Sequence, residues 1–213
     1  MCYHTKQTKS ATEVQNRFNA SISQIEIFKP TQHFNAFDYP KMPVIASQNT
    51  SIIEMWNWGL IPQWSSNIEI RSKTLNARIE TVHEKPAFSS YLDNRCIIIA
   101  NGFYEWQWLD SKGKSKNKFE IGVGNDRLFA FAGLFAEWVN EDTGEILNTF
   151  TMLTTQANVL MSEIHNIKKR MPVILKPEDE QKWLQGAEIQ EFAFPGYEVN
   201  LIAENLNPQL SLF

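Results

Sequence analysis

Cysteine is scarce in this sequence, and the two residues present, Cys2 and Cys96, lie far apart. Two isolated thiols exclude a disulfide framework and do not form a metal-ligand cluster, so no metal is expected. No apolar run approaches the roughly 20 residues needed to cross a bilayer, so no membrane partner is expected. The start of the chain lacks a basic stretch followed by an apolar one, and no signal peptide is expected. Positive charge is also short. Lys and Arg number 20 against 24 Asp and Glu, a formal net charge of -4. This excludes a protein-wide positive field, so any polyanion must meet a local basic patch. No repeat, low-complexity linker or composition break divides the 213 residues.

Apolar and aromatic material is abundant. Hydrophobic residues make up 43% and aromatics 12%, with seven Trp and fourteen Phe, enough for a substantial core and unlike a disordered chain. The expectation is one domain over 1–213 in a reducing compartment. Ser10 to Ala20 reads as a short helix capped by Ser10 or Thr12, and Glu84 to Leu92 has helical spacing with a proline near its start. Met42 to Ala46 and Ser51 to Gly59 read as strands. Arg95 to Trp108, Phe119 to Val123, Leu128 to Val139 and Ile146 to Thr154 make the centre strongly β, with loops at Asp110 to Asn117 and Asn140 to Gly144. Asn158 to Ile164 reads as a short helix, Met171 to Leu175 as a strand, and Lys176 to Leu184 as a helix with acidic residues in its first turn. The fold class is α+β: a strongly bent, mostly antiparallel sheet or barrel with short flanking helices.

Cys2 stands out by position. Methionine aminopeptidases remove Met1 when the second residue is small, which would leave a free α-amine and a thiol on one residue. An α-amine has a pKa of about 7.7–8.0, against about 10.4 for Lys. A sizeable fraction is therefore uncharged near neutrality and can attack an aldehyde to give a Schiff base. The neighbouring thiol can then close onto the imine carbon as a five-membered thiazolidine, a step made unimolecular by proximity. On position alone, a cysteine at a frayed terminus is the simpler reading.

Several segments change that weighting. They are Trp58-Gly59-Leu60-Ile61-Pro62-Gln63-Trp64, Asn76-Ala77-Arg78-Ile79-Glu80-Thr81, and Asn101-Gly102-Phe103-Tyr104-Glu105-Trp106. Then come Thr154-Thr155-Gln156-Ala157-Asn158, Ile164-His165 and Arg170-Met171-Pro172-Val173-Ile174-Leu175. With Met1-Cys2 ahead of them, their order and spacing resemble the SRAP family, the SOS response-associated peptidases or abasic-site processing proteins. The resemblance implies an SRAP-like domain that binds single-stranded DNA, or junctions ending in it, and crosslinks Cys2 to an abasic aldehyde. It also implies thiol autopeptidase and lyase activity, a monomer, no organic cofactor, and a cytoplasmic location with the nucleoid in a bacterium. It places Cys2 as nucleophile with Asn76, Glu105 and His165 around it, and DNA contacts at Asn76, Arg78, Trp64, Thr155 and Arg170.

Each residue can also be weighed on its own chemistry. Glu105 lies between two aromatics at the end of an apolar strand, where desolvation would raise its pKa and suit it to acid–base work; without the family, an edge-strand residue facing water is the slightly favoured reading. His165 ends a short helix and titrates near neutrality, although a lone histidine is more often a cap. Asn76 and Arg78, two apart, share a side on an extended segment; Arg78 can fork onto phosphate or pair with Glu80. Trp64 follows a proline loop and can stack on a base. Phe37, Tyr39 and Pro40 form a candidate apolar wedge. Lys168-Lys169-Arg170 is the best basic patch, whereas Lys112, Lys114, Lys116 and Lys118 read first as a solvated loop, with a DNA-tracking role as the alternative. Cys96, Trp56 and Trp58 read as core. The family often opens Met-Cys-Gly-Arg, whereas Tyr3 and His4 stand here, and Asn166 to Lys169 lengthen the loop after His165.

Two other functions stay open on sequence: an N-terminal cysteine amidohydrolase using the Cys2 thiolate, and a non-catalytic single-strand-binding module built on Trp64.

Overall fold

Ser10, beyond the first strand, caps the first helix. Its hydroxyl accepts the amide of Glu13 at 3.3 Å, and the Glu13 carboxylate accepts the Ser10 amide at 2.8 Å, a reciprocal capping box. The helix α1 (Ala11–Phe18) follows and buries Val14. Asn158 caps α2 (Val159–Ile164) in a related way, accepting the Met161 amide at 2.9 Å. A 3-10 turn at Pro177–Asp179 leads into α3 (Glu180–Leu184).

The structure is a computed structural model that describes residues 2–124 and 126–207. Its strands are β1 (His4–Gln7), β2 (Ser21–Ile22), β3 (Thr31–Asn35), β4 (Lys41–Ala46), β5 (Asn49–Trp58), β6 (Asn76–Arg78) and β7 (Arg95–Ala100). They continue as β8 (Gly102–Trp108), β9 (Lys116–Gly122), β10 (Phe129–Val139), β11 (Ile146–Gln156), β12 (Arg170–Pro172), β13 (Ile174–Leu175) and β14 (Ile202–Asn205).

Strands β5, β4, β7, β10 and β11 pair in that order, antiparallel throughout, and a parallel contact of β11 with β5 at Thr149↔Asn57 and Phe150↔Trp58 closes the ring. The result is a five-stranded barrel. The second sheet runs β14-β9-β8-β1-β3. The expected α+β class with a bent, mostly antiparallel sheet is therefore what the chain forms. Asn101 separates the apolar run 95–108 into two strands and turns the chain from barrel to sheet. Its side chain accepts the Thr8 amide at 2.9 Å and donates to Thr8 Oγ1 at 2.8 Å.

Alternation along the barrel strands produces two buried sets. Phe129, Phe131 and Phe135 join Met42, Val44, Trp58, Cys96 and Phe150, and this set continues into Phe103 and Ile121 of the second sheet and to Cys2. Ala130, Ala132, Leu134 and Ala136 join Ile45, Ile53, Ile97 and Ile99 under α3, whose Trp183 donates its indole N–H to the Cys96 carbonyl at 2.9 Å. Cys96, Trp56 and Trp58 are core residues, as expected.

One expected element is corrected. Glu84 to Leu92 is not a helix but lies across two 3-10 turns, Val82–Glu84 and Ser89–Tyr91. Pro86 disfavours helical geometry in the residue before it, and Lys85 is extended at φ -95, ψ 120. Met171 to Leu175 likewise divides into β12 and β13, which pair with different neighbours. Among the described residues no helix is long and apolar enough to cross a membrane.

Candidate active site

Cys2 has no exposed surface and packs in the aromatic core set. Its thiol donates to the His4 carbonyl at 3.7 Å. Burial, reinforced by the Glu105 carboxylate, pushes the thiol far above its ordinary range.

Glu105 is carried by β8, where alternation turns it to the same face as Phe103. It is only 6% exposed, and the alternative of an edge residue in water does not hold. Desolvation raises its pKa to about 7, partly offset by the Trp106 amide. Its Oε1 is buried and has no hydrogen-bond partner among the described residues.

Asn76 lies on β6, which joins β11 in parallel register, Met152↔Asn76 and Thr154↔Arg78. Its amide donates to the Cys2 carbonyl at 2.9 Å, while Oδ1 is buried and has no partner among the described residues. Arg78, two residues on, is exposed. Tyr3, which stands where the family often has Gly, lies within hydrogen-bond reach of Asn76.

His165 caps the end of α2, and its Nδ1 lies 2.8 Å from the Arg170 carbonyl oxygen and 3.1 Å from the Arg170 amide nitrogen. The longer loop 166–169 is thus closed over the imidazole. Desolvation lowers its pKa to about 4, below the ordinary imidazole range. Helix α2 is stitched to β8, the Glu105 strand. Gln107 donates to the Glu163 carbonyl at 3.1 Å, and Asn166 donates to the Trp108 carbonyl at 2.8 Å.

The proposed DNA contacts divide by exposure. Trp64 is 60% exposed, and its loop is held on both sides. The Gln63 amide donates to Tyr91 Oη at 2.7 Å, and the Trp138 indole donates to the Ser65 carbonyl at 2.6 Å. Lys168 and Lys169 are exposed and share a shallow concavity with Arg78 and Gln156.

Arg170 behaves otherwise. It is buried, donates to both Glu80 oxygens at 2.8 Å, and donates to the Thr154 carbonyl at 2.7 Å. Burial alone would raise the Glu80 carboxyl, but the Arg170 fork outweighs it and holds Glu80 below its usual range. Glu80 therefore pairs with Arg170 and not with Arg78, and the outward basic patch is Lys168-Lys169 without Arg170. Thr155 is also buried and accepts the Phe194 amide at 3.0 Å.

In the wedge, Phe37 is 51% exposed and packs against Tyr3 with ring centroids 4.8 Å apart. Tyr39 lies under Arg71 at 3.8 Å. His4 and His33, which show no sequence context, meet with Nδ1 and Nε2 2.8 Å apart. Among the described residues no group of three or more His, Cys, Asp or Glu is placed to hold a metal ion.

Comparison with known proteins gives a consistent answer. A family model described as SOS response associated peptidase (SRAP) matches residues 1–203. The abasic site processing protein YoqW of Bacillus subtilis is 48% identical over 128 residues, 60% of this chain and 54% of that protein. YoaM of the same organism, also named an abasic site processing protein, is 42% identical over 178 residues, 78% and 76% of the two chains. HMCES of Xenopus tropicalis, with the same descriptive name, is 32% identical over 164 residues, 68% and 48%. The chain thus matches about half the length of the YoqW and HMCES relatives. A crystal structure of a protein from Bacteroides thetaiotaomicron superposes with a TM-score of 0.86 at 33% identity, covering 97% of this chain and 92% of that one. One from Bordetella bronchiseptica, at 24% identity and TM-score 0.79 over 97% and 100% of the chains, shares the fold.

Proposed function

This chain belongs to the SRAP family, and on that premise we propose that it processes abasic sites in single-stranded DNA, or in junctions ending in it, by covalent capture through Cys2. The relatives named as abasic site processing proteins supply the lesion; the geometry supplies the chemistry.

The observation that carries the reading is a pair of buried acceptors beside Cys2. Glu105 Oε1 and Asn76 Oδ1 have no partner among the described residues. Leaving such acceptors unmatched costs about 1–3 kcal/mol each. An α-amine freed by removal of Met1 brings the donors they lack. The site therefore suits an amine and an aldehyde.

The steps follow. Glu105, at a pKa of about 7, is partly protonated near neutrality and can give a proton to the sugar ring oxygen as the closed sugar opens to its aldehyde. The Cys2 amine adds to C1′, and the carbinolamine oxygen, once protonated, leaves as water. The Cys2 sulfur then adds to the resulting iminium carbon and its proton passes to a nearby base, with Glu105 carboxylate or the neutral His165 imidazole available. The product is a thiazolidine with one water released, and a lesion in this form no longer has the aldehyde that drives β-elimination.

A thiol peptidase or amidohydrolase acting on external amides is a poorer fit. Such chemistry runs through a thiolate, and burial next to Glu105 opposes thiolate formation at Cys2. The amine-first route does not need one. A non-catalytic module would use Trp64 but gives no role to the buried Cys2–Asn76–Glu105 group.

The test is a denaturing gel of the protein incubated with single-stranded DNA carrying one abasic site. A retarded band is expected with the unmutated chain, and not with Cys2→Ala or with intact DNA. No band with the unmutated chain overturns the reading.

A further inference from the structure

The face of the second sheet turned away from Glu105 has no part in the site described so far. Alternation along β8 places Tyr104, Trp106 and Trp108 there, each opposite a residue of β9: Tyr104↔Glu120, Trp106↔Lys118, Trp108↔Lys116. Lys118 Nζ lies 4.1 Å from the Tyr104 ring centroid and 5.7 Å from that of Trp106, and Lys116 Nζ lies 4.9 Å from the Trp108 centroid. Trp106 also takes the edge of His4 at 4.7 Å, two residues from Cys2. The row therefore starts beside β1, which begins two residues after Cys2, and runs outward to the 109–115 hairpin.

The segment 108–118 holds four lysines, Lys112, Lys114, Lys116 and Lys118, against the single carboxylate of Asp110. Asp110 spends its carboxylate inside the hairpin, accepting the amides of Lys112 at 2.8 Å, Lys114 at 3.3 Å and Ser115 at 2.5 Å. Glu120 is taken by Lys6. Among the described residues, none of Lys112, Lys114, Lys116 and Lys118 appears in an ion pair with an acid. Exposed lysine–ring contacts are worth about 0.5–1 kcal/mol, which accounts for Lys116 and Lys118 lying on rings but not for the unpaired Lys112 and Lys114 on the same rim. The chain as a whole carries -4, so the surplus of lysine over acid along 108–118 is a local positive patch beside aromatic rings. Tyr104 is buried, and the half-buried Trp106 and Trp108 with the lysines beside them have the chemistry that tracks a single strand: phosphates on ammonium groups, bases against the accessible parts of the two indoles.

We propose that the outer face of β8–β9 and its hairpin is a second contact track for single-stranded DNA, holding the strand that flanks the captured lesion. This rests on the reading of Cys2 as the capture residue. The occupant is a polyanionic strand continuous with the one in the site. Lys114 and Lys116 hold its phosphates farthest out, and Lys118 with Trp106 joins the track to the site.

The experiment compares the unmutated chain with Lys114→Ala/Lys116→Ala, both exposed positions whose change leaves the fold intact. Binding of intact single-stranded DNA of about 5 and about 20 nucleotides, spanning the range of single-strand site sizes, is followed by anisotropy across a salt series. For the long strand the double variant should bind about tenfold more weakly, with its log–log salt slope smaller by about 1.4, or 0.7 per lost phosphate contact. The short strand, and adduct formation with a short abasic strand, should be unchanged. Equal long-strand affinity and slope in both proteins overturn the proposal. So does loss of binding to polyglutamate with DNA binding unaltered, which assigns the face to an acidic protein partner. The underlying reading fails separately, by the unmutated chain forming no adduct with the short abasic strand.

Discussion

The side-chain amide of Asn76 holds the backbone carbonyl of Cys2 at 2.9 Å. This one bond connects the first described residue to β6 and, through it, to the barrel strand β11. It sets the direction of the Cys2 backbone, and so of any amine on it. Replacing Asn76 with Ala should slow adduct formation about 10²-fold, the penalty for a small misplacement of a reacting group. The stability cost should stay near 1 kcal/mol, that of one hydrogen bond. Single-turnover kinetics alongside urea melts separate the two.

Glu105 gives a pH-dependent prediction. Its pKa moves from 4.5 to about 7 on folding, through desolvation, so the native state holds a proton that the unfolded chain releases between those values. Stability from this group is complete below about 4.5, falls as pH rises through about 7, and levels off above, by an amount on the order of 3 kcal/mol. Glu105→Gln, which mimics the protonated form, should remove that slope and melt higher than the unmutated chain at pH 8. It should also slow adduct formation. Urea midpoints at pH 5 and pH 8 check it; a slope that persists in the variant places the titrating group elsewhere.

Arg170 and Arg78 should part company. Arg170→Met removes the guanidinium from the Glu80 carboxylate, which keeps the Gln156 amide at 3.1 Å, and from the Thr154 carbonyl, which keeps the Ile79 amide at 2.9 Å, and loss of one partner of such an ion pair costs about 3–5 kcal/mol when fully buried. Glu80 keeps 36% side-chain exposure, which puts the expected loss nearer about 2–3 kcal/mol. The salt slope of DNA binding, measured below the melting transition, should not change. Arg78→Ala should do the reverse: little change in melting, and a slope smaller by about 0.7.

The parts of this molecule that were legible in its sequence are the ones fixed by near neighbours. Ser10 with Glu13, Asn158 before α2, and the turn at 140–144 follow from short-range capping and turn chemistry. The burial of Glu105 follows from its sharing a strand face with Phe103. What stayed hidden depends on register between distant strands. Glu80 takes Arg170 because β6 and β12 both pair with β11, at Thr154↔Arg78 and Gln156↔Arg170, which carries Arg170 across to it. His33 reaches His4 because β3 pairs with β1 at Asn35↔His4. Pro86, present in the sequence, should have counted more heavily against a helix over Glu84 to Leu92 than the apolar spacing counted for one.

The central claim is that the amine and thiol of Cys2 together capture an abasic aldehyde. Its most direct test is the intact mass of the product formed between protein beginning at Cys2 and single-stranded DNA with one abasic site. The expected mass is the sum of the two reactants less one water, reached without reductant and stable to denaturation. Cys2→Ala should yield an adduct only when borohydride traps the imine. A stable adduct formed without reductant on Cys2→Ala, or on protein retaining Met1, at the sum of its own reactants less one water, would contradict the account by placing the bond on another residue.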